Sequence, residues 1–322
     1  MIPKILVVGS LVMDLIVETT RFCQAGETVI GCGFSTAPGG KGANQALQAA
    51  RLGAKVTMVG RVGNDDFGKN LIRSLQESGV DTQYVFITDD APSAVGNVQI
   101  QKNENGTENR IIVVPGANHK LTVNDVEFLK DSIKDYDMVI LQHEIPKEVN
   151  LFVAKIAKEN NVPVMLNPAP SDTVPEDLIK CLSYISPNEH EAEDIVGIKP
   201  EENGIFDAVK SLHNMGVKNV IITLGKEGCA YSDGNGIIKS PSIPQKVVVD
   251  PTAAGDSFIG AFCTAISAGV EAEKALIFAN CTAGITVSRM GAQTSLPYFD
   301  EVISSLNEKG FKTEIYNIIK GE

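Results

Sequence analysis

Residues 250–258 read DPTAAGDSF, and they lead directly into the apolar run FIGAFCTAISAGV. Two alanines and a glycine ahead of an aspartate forgo side-chain packing, so what this stretch offers is backbone. Ala253, Ala254 and Gly255 are expected in the first turn of a helix beginning near Asp256. Unpaired N–H groups at a helix start form an anion site, and the lack of side-chain bulk lets the anion approach. Asp256 then stands beside that anion. An acid in the first turn also complements the helix dipole, but a plain cap does not require Ala-Ala-Gly before it. An anion hole next to a carboxylate suits phosphoryl transfer. The N–H groups stabilise charge on the transferred group, and the carboxylate takes the proton of the attacking hydroxyl.

A second glycine-rich segment, APGGKGANQA at 37–46, places three glycines and Lys41 before a helix whose first turn holds Asn44. Such a start lets backbone N–H groups come close to a polar ligand, and it equally makes a tight turn for helix entry. It is not a P-loop, since GxxxxGK[ST] does not occur, nor a dinucleotide fingerprint, since no GxGxxG follows the first strand.

The elements that must position these segments follow a strand-then-helix rhythm. KILVVGS, KVTMVG, DMVILQ, VPVMLN, LSYISPN and VKNVIITLG are short apolar runs with polar or glycine stops. Between them lie the amphipathic patterns GANQALQAARLG, DFGKNLIRSLQESG, VNDVEFLKDSIKD, KEVNLFVAKIAKEN and IFDAVKSLHNMG. This predicts a mostly parallel sheet covered on both faces, an α/β fold, with ligands beyond the carboxyl ends of the strands. Residues 14–35 and 93–114 break the rhythm. They alternate apolar and polar and carry turn signals such as Asn-Gly, which reads as two antiparallel ribbons forming a small projecting sheet. The last ~70 residues read as helical over 255–269, 272–289 and 298–309.

Composition narrows the function. The chain has 322 residues and a formal net charge of −12, with no basic block to offset it. That disfavours nucleic acid and acidic membrane surfaces as partners. No apolar stretch reaches the roughly 18 residues of a membrane span. The six cysteines form no CxxC pair and the four histidines show no metal-ligand spacing, which reads as reduced thiols in a cytoplasmic protein.

Taken together, GGKGAN (39–44), GRVGNDDFG (60–68), NPAP (167–170), SPNEHEAE (186–193), TLGKEG (223–228), the D-x-x-x-A-G-D segment (250–256) and RMGAQTSLP (289–297) resemble the ribokinase family of carbohydrate kinases over essentially the whole chain. The resemblance implies a three-layer α/β/α domain (1–13, 36–92 and 115–322) with a β-sheet lid (14–35 and 93–114). The lid covers the sugar and often pairs with a second subunit's lid, giving a homodimer. It also implies an ATP- and Mg²⁺-dependent kinase acting on the primary hydroxyl of a pentose, D-ribose first, with a 2-deoxyribose or nucleoside kinase as the alternative. A catalytically silent sugar-sensing module is the reading from another class, and retention of Asp256 argues against it.

Roles follow by position. The resemblance makes Asp256 the base and Ala253, Ala254 and Gly255 the anion hole. Asp14, Gly40, Lys41, Asn44 and Glu144 line the sugar pocket. Asn188 and Glu191, whose N-x-x-E spacing is also a capping box, arrange Mg²⁺ waters and nucleotide phosphates. Thr223, Leu224, Gly225, Lys226, Gly228 and Asn280 serve the nucleotide. Asp250, Thr252, Thr286, Arg289, Gly291 and Ser295 hold an activating monovalent cation, K⁺, mostly through carbonyls. Two positions depart from the family: Val12 stands where a sugar-binding asparagine is usual, and Pro251 where threonine is usual. Val12 cannot hydrogen-bond a hydroxyl, which favours a sugar lacking one there. Proline supplies no N–H and fixes φ.

Overall fold

The structure, a computed structural model, describes residues 1–103, 106–199 and 204–321. Its strands are β1 (Lys4–Val8), β2 (Val12–Thr19), β3 (Gly33–Gly39), β4 (Lys55–Gly63), β5 (Asp81–Thr88), β6 (Ala94–Asn103), β7 (Gly106–Val114), β8 (Met138–Gln142), β9 (Val164–Asn167), β10 (Tyr184–Ile185), β11 (Asn219–Thr223), β12 (Cys229–Ser232) and β13 (Ile238–Ser240). The α-helices are α1 (Lys41–Arg51), α2 (Asp66–Glu77), α3 (Leu129–Ser132), α4 (Lys147–Glu159), α5 (Glu176–Ile179), α6 (Glu189–Val196), α7 (Gly204–Asn214), α8 (Ala254–Ser267), α9 (Ala272–Thr286) and α10 (Phe299–Glu308).

The main sheet has nine strands in the order β13-β12-β11-β10-β9-β8-β1-β4-β5. From β11 to β5 every pairing is parallel, and β12 and β13 add an antiparallel edge. Successive side chains of β1 enter opposite cores. Ile5 and Val7 pack with α1, α2, α8, α9 and α10, while Leu6 and Val8 pack with α4, α5, α6 and α7. Burial on both faces is why the strand sequences read as unbroken apolar runs. The result is the expected three-layer α/β/α arrangement.

The second sheet runs β3-β2-β6-β7. Its two antiparallel hairpins, β2–β3 and β6–β7, are joined by a parallel β2–β6 pairing. Its strands start at Val12 and run on to Gly39, beyond the stretches whose alternation marks the lid. Asn105, half of the expected Asn-Gly turn, lies outside the described residues.

One expected helix differs. Over 123–135 the chain forms two 3₁₀ turns around the single turn of α3. Its anchors Val126, Leu129 and Ile133 are all buried, as their spacing requires. The Asp125 carboxylate, however, accepts from both the N–H and the hydroxyl of Thr122 at 2.8 Å, a local bond that competes with regular helix. No helix among the described residues is long and apolar enough to cross a membrane, and all six cysteines are free.

Candidate active site

The first turn of α1 is pressed against the bend between β1 and β2. Gly40 has φ +93°, and a Cβ there would lie 2.7 Å from Val12 N. A Cβ on Gly42 would lie 2.5 Å from Ser10 N. Glycine at both positions allows Ala43 N–H to bond Ser10 C=O at 2.9 Å. Glu144, in the loop after β8, reaches the same turn. Its Oε2 accepts from Lys41 N–H at 3.0 Å and from the Ser10 hydroxyl. It is therefore bound to the helix start and is not a loose loop acid.

Asp256 lies in the first turn of α8, 7% exposed. Its Oδ2 accepts from Asn44 Nδ2 at 2.9 Å, and its Oδ1 accepts from Gln45 Nε2 at 2.9 Å. A cavity of about 230 Å³ opens beside it. Lys41, Asn188, Glu191, Thr223 and the 253–256 turn all contribute to its wall. Ala253 caps α8 in the left-handed region (φ 61°), a conformation disfavoured for residues with a Cβ. Here it turns the Ala253–Asp256 backbone onto the cavity. A side chain at Gly255 would point into open space. The helix starts at Ala254, whose N–H donates to Pro251 C=O at 3.2 Å, so one of the three expected anion-hole groups is engaged in a turn.

Charges concentrate at this point. Burial works to lower the Lys41 ammonium, but Asp256, Glu144 and Glu191 together outweigh it and raise its pKa. Burial raises the pKa of Glu191. Burial, helped by Glu144, lifts that of Asp14 to about 6. Asp14 sits mid-lid over two glycines: a Cβ on Gly96 would meet its Oδ1 at 2.4 Å, and one on Gly39 its Oδ2 at 2.8 Å. Val12 shares that face, its Cγ1 3.8 Å from the same point on Gly96.

Beyond Thr223 the β11–β12 turn closes with Leu224 N–H to Gly228 C=O at 2.8 Å, and Gly225 and Lys226 stay exposed on it. Gly228 (φ +96°) packs on Ser240, and Asn280 Nδ2 bonds Ser240 Oγ at 3.0 Å. Asn280 is thus buried beside the turn and is not a plain surface residue. Asn188 and Glu191 form the capping box of α6, and each bond is 2.9 Å.

A description of the pfkB family of carbohydrate kinases matches residues 2–298. The ribokinase of Lactococcus lactis is 38% identical over 306 residues, 95% of this chain and 97% of its own length. The structure of Arabidopsis thaliana ribokinase complexed with ribose and ATP superposes with a TM-score of 0.88 at 35% identity, covering 97% of this chain and all of that one. The deoxyribokinase of Salmonella typhi is 33% identical over 309 residues, 94% of this chain and 99% of its own. The chain belongs to the ribokinase (pfkB) family of carbohydrate kinases. ATP-dependent phosphorylation of a sugar is the activity this membership carries.

In this carbohydrate kinase the residues matched to a monovalent cation fall on two segments that touch, 250–252 and the end of α9 with the loop after it. Asp250 Oδ2 accepts from Gly291 N–H at 2.9 Å, and its Oδ1 accepts from Thr252 N–H at 2.9 Å. Three side chains of the set are turned to other partners: Thr286 to Thr282 C=O, Ser295 to Ala292 C=O and Arg289 to Glu301. No cluster of three or more His, Cys, Asp or Glu side chains that could hold a metal occurs among the described residues.

Sequence reasoning gave no role to Gln45, Gln142 and Asn167, which the kinase gathers behind its carboxylate. Gln45 and Asn167 stand inside two family segments, GGKGANQA and NPAP. Carboxamides in a helix and at strand ends otherwise look like polar filler.

Proposed function

We propose that this kinase transfers the γ-phosphoryl group of ATP to the primary hydroxyl of a pentose, D-ribose first, giving D-ribose 5-phosphate. The observation that carries it is the Asp256 carboxylate, held by two amides beside the small-residue turn 253–255 at the mouth of the cavity. Asp14, Lys41, Asn44 and Glu144 grip the sugar hydroxyls. Asp256 accepts the proton of the attacking hydroxyl. As the new O–P bond forms, the bond to the bridging oxygen of ADP breaks, and N–H groups of the 253–256 turn stabilise the charge in flight. The 223–228 turn and Asn280 hold the nucleotide. Glu191 is a buried carboxylate whose raised pKa a cation would relieve, and with Asn188 it fits an Mg²⁺ bound through water. Such an ion supplies charge neutralisation on the phosphates.

In this reading the Asp250 and Gly291 loops hold K⁺ through their carbonyls. Pro251 keeps its carbonyl, which is what such a site uses. The lid strands β3 and β7 expose Phe34 (70%), Ile111 (56%) and Ile112 (63%). Apolar residues on both sheet edges suit a second copy of the lid, and a cytoplasmic homodimer is the assembly we propose. Val12 favours a second reading, in which 2-deoxyribose is also a good acceptor.

A coupled ADP-release screen over ribose, 2-deoxyribose, other pentoses, hexoses and nucleosides tests the assignment. Turnover of ribose or 2-deoxyribose above the rest is expected. Preference for a hexose or a nucleoside would overturn the pentose reading.

A further inference from the structure

Behind Asp256 lies a chain of carboxamides in which Gln45 has one satisfied orientation, while Gln142 Oε1 has no protein partner. Gln45 and Gln142 are fully buried, and Asn167 is 9% exposed. At its nitrogen end Gln45 meets two acceptors, Asp256 Oδ1 at 2.9 Å and Asn167 Oδ1 at 3.1 Å. Asn167 is itself turned that way because its Nδ2 donates to Ser186 C=O at 3.1 Å. At its oxygen end Gln45 meets a donor, Gln142 Nε2 at 2.8 Å. Reversing the Gln45 amide would set its oxygen against a carboxylate and a carbonyl oxygen, and its nitrogen against a donor. Gln142 is in turn anchored through its main-chain carbonyl, which accepts from Asn150 Nδ2 at 2.7 Å. Its side chain fits only because residue 9 is glycine, where a Cβ would lie 2.0 Å from Gln142 Oε1.

We propose that Gln45, held by Gln142, is the positioning residue for the base: it fixes the plane of the Asp256 carboxylate so that a free lone pair faces the acceptor hydroxyl. This rests on Asp256 being the base. A carboxylate has about four lone-pair positions. Asn44 takes one on Oδ2 and Gln45 one on Oδ1. With one bond on each oxygen, the group cannot swing about its last torsion without losing both. Asn44 can serve sugar and base together, because its Oδ1 has no protein partner. Gln45 is fully buried and outside the cavity wall, so its effect reaches the reaction only through Asp256.

The test uses the full-length enzyme, with ATP, Mg²⁺ and whichever sugar the wild type turns over best. In Gln45→Met, kcat is expected to fall about 10- to 100-fold, the scale of a misplaced catalytic group. The KM values for sugar and ATP stay within about threefold. The acid limb of the kcat–pH profile moves up, because a hydrogen bond to the charged form is lost. The other charges near Asp256, Lys41 on α1 and Glu191 on α6, are unchanged. Gln142→Met, which does not touch Asp256, moves kcat and the limb in the same direction by less. The double variant is no worse than Gln45→Met alone, because both act along one chain. A packing role alone would change melting temperature and leave the limb in place.

Wild-type-like kcat and limb in Gln45→Met, or effects that multiply in the double variant, would overturn the proposal. If Gln45→Met does not fold, an unmoved kcat and limb in Gln142→Met overturns it alone. Asp256→Asn run alongside separates the two claims. If that variant keeps its turnover, the base assignment fails and the positioning role with it. If it is dead while both glutamine variants behave as wild type, only the positioning role fails.

Discussion

Asp14, the carboxylate proposed to bind the sugar, should cost the ligand-free enzyme stability, and the cost can be read against pH. Burial and the nearby Glu144 lift its pKa from 3.8 to about 6 in the folded state. Between those values the native state holds a proton that the unfolded chain has released. Stability therefore falls as pH rises through this window, the reverse of a salt-bridged carboxylate. Above pH 6 the full cost is present. About two units at roughly 1.4 kcal/mol each is about 3 kcal/mol. Asn mimics the protonated form, so Asp14→Asn is expected to stabilise the ligand-free protein by up to about 3 kcal/mol at pH 8, and not at all below about pH 4. An unfolding entropy of roughly 2.1 cal/mol/K per residue over 322 residues gives about 0.7 kcal/mol/K, hence a rise of about 4 °C in Tm. Calorimetry of both proteins from pH 4 to 8 without sugar measures it. The same titration governs binding. If sugar hydroxyls donate to ionised Asp14, kcat/KM for the sugar falls about tenfold per unit below pH 6, while kcat at saturating sugar falls less. Equal Tm values at every pH, together with a flat kcat/KM between pH 5 and 8, would refute the reasoning.

Other outcomes follow from the same geometry. Asp256→Asn is expected to lower kcat by roughly 10²–10⁴-fold with nucleotide affinity nearly intact, and more than about half of wild-type kcat in that variant would remove the base assignment. Initial rates at constant ionic strength should be higher in K⁺ than in Na⁺; equal rates in K⁺, Na⁺ and a bulky organic cation would leave no role for the Asp250–Gly291 loops in binding one. Ile112→Lys, on the exposed lid strand β7, should shift the sedimentation coefficient from dimer to monomer, and an unchanged coefficient would place any dimer contact elsewhere. Val12→Asn should move the kcat/KM ratio toward ribose over 2-deoxyribose by about one neutral hydrogen bond, 0.5–1.5 kcal/mol or roughly two- to tenfold, and a wild type already strongly selective for ribose with an indifferent variant would show that another group makes the contact.

The central strands were legible because burial on both faces leaves continuous apolar runs. The edges were not. β5 reads DTQYVFIT with six of its eight residues exposed or half-buried, and β12 and β13 are four and three residues long, below the length at which periodicity speaks. The two glycine-rich segments announced themselves because small residues before a helix have a backbone purpose. What the sequence hid is pairing at a distance. Gln45 and Asp256 are 211 positions apart, and Ser10 and Glu144 are 134 apart. A glutamine inside a helix carries no mark of the carboxylate it will meet. Asn280 is silent in the same way, since its hydrogen-bond partner Ser240 comes from another element.

One helix relates these distant parts. The first turn of α1 sets Lys41 in the cavity wall and is tied to Glu144. Two consecutive residues of α1, Asn44 and Gln45, hold Asp256. Its far end clamps the loop after α9: Gln48 Nε2 donates to Pro297 C=O at 2.9 Å, and Arg51 Nη1 donates to Gln293 and Leu296 carbonyls at 2.8 and 2.6 Å. That loop carries Gly291 and Ser295, and Gly291 N–H returns the connection to Asp250, six residues before Asp256. The contacts close a ring: α1, the 291–297 loop, Asp250, the 253–256 turn, Asp256, and α1 again. A cation bound between the Asp250 and Gly291 loops would therefore fix the 253–256 turn from one side while α1 fixes it from the other. Because Ala253 stands in a strained left-handed conformation, that turn has the most to gain from being held at both ends.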